Sequence, residues 1–92
     1  MFRRVLTASP NAAATWNNLG ALYLAERRPA DAIEALTHAI AVNPDLATAH
    51  NGLGVAYATQ GDTVRAAAEW RKALELRPGY RDAQFNLDRL AK

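Results

Sequence analysis

The chain has no cysteine, which excludes disulfides, thiolate zinc sites and cysteine nucleophiles and leaves the redox compartment open. It has no apolar run approaching the roughly 18 residues that span a bilayer, so membrane insertion is not expected. The opening segment MFRRVLTASP has two arginines but no continuous apolar block behind them, and does not read as a secretory signal. The compartment is therefore unassigned. Charge of one sign is also lacking: the net charge is only +2, and adjacent basic pairs such as Arg3-Arg4 and Arg71-Lys72 stand isolated. A nucleic-acid surface carries a denser stripe of lysine and arginine, so no nucleic-acid partner is expected.

What is present is alanine and a repeat. Half of the 92 residues are hydrophobic, and the large alanine share favours helices that approach one another closely. Residues 13–46 align without a gap on residues 47–80. Eight of the 34 positions are identical: Ala13/Ala47, Asn17/Asn51, Leu19/Leu53, Gly20/Gly54, Tyr23/Tyr57, Ala32/Ala66, Ala39/Ala73 and Pro44/Pro78. The period extends outward, through Pro10 before Pro44, through Phe2, Leu36 and Trp70, and through Leu19, Leu53 and Leu87.

Each unit reads as two helices. Trp16, Leu19 and Tyr23 lie at helical spacing, and the break Arg27-Arg28-Pro29 places proline at the first position of a new helix. The matching break, Gly61-Asp62-Thr63, offers Gly61 as a helix terminator and Asp62 as an N-cap. Apolar stripes follow, Ala32, Ile33, Leu36, Ala39, Ile40 and then Ala66, Ala67, Trp70, Ala73, Leu74, ended by Pro44 and Pro78. The pattern predicts helices near 12–26, 29–43, 46–60, 63–77 and 80–91, with a helical stub near 2–8. Gly20 and Gly54 fall mid-helix, where glycine costs about 1 kcal/mol against alanine, so each needs a packing reason. Close crossing of paired antiparallel helices supplies one.

The series Trp16-x-x-Leu19-Gly20-x-x-Tyr23, then Ala32, Leu36, Ala39 and Pro44, resembles the tetratricopeptide repeat signature. The second unit follows it with His50 in the tryptophan place and Trp70 in that of Leu36. The resemblance implies an all-α fold, a right-handed superhelical array of antiparallel helix pairs. It divides the chain into the end of a truncated repeat (1–12), repeat 1 (13–46), repeat 2 (47–80) and a capping helix (81–92), within a longer parent. Asp88 stands where Gly20 and Gly54 stood and marks the last helix as a solvating cap without a matching surface. Phe2, Val5 and Leu6 at the other end are expected to associate with a second copy, as a homodimer through the stub.

Little in the chain points to catalysis. His50 sits in a packing slot, and His38 lies off its helix's apolar stripe and is expected to be exposed. Neither has a second histidine at helical spacing or a cysteine nearby, so no metal site is expected. Gly52-x-Gly54 lies within a helix and is not a nucleotide loop. No nucleophile arrangement or paired carboxylates appear, so neither catalytic residues nor a cofactor are assigned.

The binding candidates are amides. Asn18 and Asn86 are two repeat lengths apart with Gly52 midway, and Asn17 and Asn51 form a second pair. The resemblance implies that these positions face a concave groove where asparagines bond the backbone of a bound peptide. An amide carries both donors and an acceptor, suiting a peptide unit of any sequence. The alternative, asparagines that face solvent and bond their own helix, stays open. Ala21, Leu24, Val55, Ala58 and Phe85, ending at Arg89, would make the rest of that groove mildly apolar. Asn17, Asn18, Asn51, Val55, Phe85, Asn86 and Arg89 are thus the candidate peptide-binding residues. Some family members clamp a partner's terminal carboxylate with lysine, asparagine and arginine from three successive first helices; the corresponding places hold Asn17, Ala21, Gly52, Asp82 and Asn86, without a basic residue. The expected function is a non-catalytic scaffold binding a protein or peptide. The other reading is self-association or docking within a larger protein, which could be an enzyme.

Overall fold

A computed structural model describes residues 12–90, which form five α-helices: α1 (Ala12–Ala25), α2 (Pro29–Val42), α3 (Ala47–Thr59), α4 (Thr63–Leu76) and α5 (Arg81–Leu90). No strand occurs among these residues. The boundaries lie within a residue of those the pattern predicts. The predicted stub, with Phe2, Val5, Leu6 and the dimer contact drawn from it, lies outside the described residues.

The helix ends repeat with the sequence. After α1 the chain turns left-handed at Arg27 (φ 61°), and after α3 it does so at Gly61 (φ 85°). Both turns carry the same bonds. The Arg28 amide donates to the Tyr23 carbonyl (2.8 Å) and the Asp62 amide to the Tyr57 carbonyl (2.9 Å), closing off carbonyls that the helix leaves free. Pro29 opens α2, and the Asp62 side chain accepts from the Arg65 amide at 3.1 Å to open α4. Asn43 and Arg77, each before a proline, leave the helical conformation and end α2 and α4.

α1 packs on α2 and α3 on α4, α2 lies against α3 and α4 against α5, and the first helices of successive pairs also touch (α1 with α3, α3 with α5). The buried centre is largely alanine: Ala12, Ala32, Ala35, Ala39, Ala49 and Ala56 surround Trp16, Leu36 and Leu53. A second cluster joins Trp70 to Ala66, Ala73 and Ala83. Small side chains bring the backbones together, and the glycines sit at the tightest points. A Cβ on Gly20 would lie 2.5 Å from Leu36 Cγ, and one on Gly54 would fall inside the Trp70 indole. Gly52 is similarly placed, since its Cβ would lie 2.9 Å from Leu36 Cδ1. The series through Asn18 and Asn86 therefore loses its asparagine at position 52, where α3 packs on the preceding pair.

The open side of α5 carries apolar side chains beside the polar Arg71 and Asp88. Val64, 80% exposed, together with Ala67, Leu87 and Leu90, lines a recess of about 470 Å³ between α4 and α5. Half of this apolar surface belongs to the start of α4, outside the capping helix itself.

Candidate functional site

Trp70 organises the candidate site from below. Its indole lies across Gly54, and its Nε1 donates to the Asn51 carbonyl at 3.1 Å. A large aromatic ring is thereby buried with its one polar atom satisfied. Above it, Asn86 Nδ2 on α5 donates to Asn51 Oδ1 on α3 at 3.2 Å. Tyr80, in the turn before α5, lies near the Asn51 side chain. Its phenol is pushed above the ordinary tyrosine value, first by burial and then by the Asp82 carboxylate, against smaller opposing effects of Arg77 and Asn51. Asn51, on α3, thus ties its helix to α4 through its carbonyl and to α5 through its side chain.

Beside this tie lies a recess of about 350 Å³, lined by Val55, Ala58 and Thr59 from α3, Trp70 from α4, and Asn86, Arg89 and Leu90 from α5. The wall is aliphatic and aromatic, with one amide and one guanidinium at its edge. Phe85, 62% exposed, stands next to it with the Arg89 guanidinium 5.7 Å from its ring centroid. Thr59 also lines a second recess, of about 370 Å³, with Leu24, Ala25, Arg27, Arg28 and Pro29.

The candidate residues are therefore distributed unevenly. Val55, Asn86 and Arg89 line one recess, Asn51 is bonded to Asn86, and Phe85 flanks Arg89. Asn17 (half-buried) and Asn18 (exposed) lie on α1 and line neither recess. Trp70, Thr59 and Arg27 also line these recesses, although the sequence marked none of them for this. For Trp70 the signal was available, because it replaces the aliphatic residue at Leu36 with one that carries a hydrogen-bond donor.

The two histidines have structural partners. His50 is buried, with Nδ1 2.8 Å from Glu69 Oε1 and Nε2 3.0 Å from the Pro44 carbonyl oxygen, so it links α3, α4 and the turn before α3. His38 is half-buried rather than exposed. Its ring stacks on Trp16 at 4.5 Å, which the position of His38 off the apolar stripe did not reveal. Among the described residues, no group of three histidine, aspartate or glutamate side chains is placed to hold a metal ion. Nor is any helix long and apolar enough to cross a membrane.

Comparison with known proteins bears on what such a surface does. The sequence model of the tetratricopeptide repeat family matches residues 1–37 and 17–81. Heat shock protein STI1 of Saccharomyces cerevisiae is 29% identical over 75 residues, covering 82% of this chain and 13% of that protein. The chain thus corresponds to a small part of this curated relative.

Proposed function

The chain belongs to the tetratricopeptide repeat family, whose generally non-catalytic helix pairs form protein-interaction modules, and on that premise we propose that it binds a segment of a partner protein along the face shared by α1, α3 and α5. The observation that carries this reading is the single recess lined by Val55, Asn86 and Arg89 beside the Asn51–Asn86 amide pair. Aliphatic walls over an indole floor accept a small apolar side chain of the segment. The amides at the rim retain donor and acceptor capacity for its backbone, since each carboxamide has more sites than the one bond between them uses. Exposed Phe85 and Arg89 supply residue types enriched in protein interfaces. The reading assigns no catalytic step and no cofactor to this chain. It also does not include the capture of a chain-terminal carboxylate, because the places for that clamp hold Asn17, Ala21, Gly52, Asp82 and Asn86.

Introducing a charge into the recess tests this. Peptides selected on the full chain from a display library should lose at least about tenfold in affinity for Val55→Glu, about 1.4 kcal/mol or more, while the helical circular-dichroism signal persists. Unchanged affinity in Val55→Glu would place binding elsewhere on the chain.

A further inference from the structure

We propose that the partner segment is acidic, carrying carboxylate side chains to Arg27 and Arg89 on either side of a small apolar residue. This rests on the binding face proposed above and specifies what that face selects. The two recesses that meet at Thr59 are walled by Leu24, Val55 and Ala58, and neither is lined on the binding face by a glutamate or an aspartate. Their cations are Arg27, Arg28 and Arg89. Arg28 is already engaged, with Nε and Nη2 both 2.8 Å from Asp31 Oδ2 and Nη1 3.5 Å from Glu26. Arg27 and Arg89 have no carboxylate partner among the described residues.

Two features single out these arginines. Arg27 adopts a left-handed backbone (φ 61°) at the position where the other repeat has Gly61 (φ 85°). Glycine takes that conformation without the steric cost that a Cβ brings. The arginine is thus held where the fold favours glycine, and its side chain makes no ion pair among the described residues in return. Arg89 has its guanidinium over the exposed Phe85 ring at 5.7 Å. A guanidinium over an aromatic ring retains N–H donors for the paired hydrogen bonds that a carboxylate accepts. A phosphate could use the same donors, but the aliphatic walls, the amide pair and a net charge of only +2 favour a peptide over a nucleic acid.

Selection of a random dodecapeptide display library on the immobilised full chain, in parallel with the Arg27→Gly/Arg89→Gln double variant, tests the proposal. The expected result is enrichment of peptides rich in aspartate and glutamate. Their affinity should fall about tenfold or more in the double variant, and Arg27→Gly alone should melt at the same temperature or higher. Enriched peptides that lack acidic residues and bind the variant equally would overturn this inference while leaving the binding face intact. Failure to enrich any peptide over the bare support would overturn both. Melting of Arg27→Gly below the parent chain would show that the arginine serves the fold, and would overturn the proposal. So would binding of a single-stranded DNA oligonucleotide in place of the acidic peptides.

Discussion

Glycine in the middle of a helix normally invites replacement, because alanine gains about 1 kcal/mol there. At Gly54 the sign reverses, since the added Cβ would enter the Trp70 indole, a rigid ring anchored by its bond to Asn51. Gly54→Ala should therefore destabilise by about 1–3 kcal/mol through overpacking. Gly79→Ala, where nothing lies within 4 Å of the new carbon, should be neutral or slightly stabilising. Urea denaturation of both variants checks the pair; equal midpoints would show that Gly54 is not a contact point. Tyr80 gives a pH-dependent counterpart. Its phenol is held protonated mainly by burial, so it favours the fold while neutral. That contribution is complete below the ordinary tyrosine range near about pH 10 and is lost as pH rises through the higher folded value. Melting temperature should fall between about pH 9 and 11, and Tyr80→Phe should flatten the fall. An identical fall in the variant would assign it to other groups.

At the scale of the helix, the termini explain why the element boundaries could be read from residues alone. Pro29, Gly61, Asp62, Pro44 and Pro78 act on the few bonds around them, so their effect survives without knowledge of the tertiary fold. The Asp62 cap should contribute about 1 kcal/mol, and Asp62→Ala should lower stability by that amount while Asp62→Asn retains most of it. Thermal melts of the two variants should differ accordingly; equal loss in both would point to the 3.5 Å ion pair with Arg65 rather than the cap. Arg27 in the left-handed conformation was not legible in the same way, because arginine carries no signal for it. The phase shared with Gly61 was the only clue. Interhelical features were harder still: the link from His50 to Glu69 and the Asn51–Asn86 bond join residues 19 and 35 positions apart, and nothing local announces either. The amide pattern did identify residues of one surface. Asn17 and Asn18 share its phase but lie on α1, away from the recesses, because repeat phase fixes a direction on a helix and not a neighbour.

For the whole molecule, the five described helices stack so that α3 and α5 present a half-apolar face with Trp70 beneath it. That face is the one proposed above to bind a protein segment. The most direct measurement is amide chemical-shift mapping by NMR on the full chain, titrated with a peptide selected from the display library. The account predicts that the largest changes fall on Asn51, Val55, Ala58, Asn86 and Arg89, with smaller ones reaching Leu24 and Arg27. Changes confined to Val64, Ala67 and Leu87 at the open end of α4 and α5, with the α3–α5 face unmoved, would contradict it.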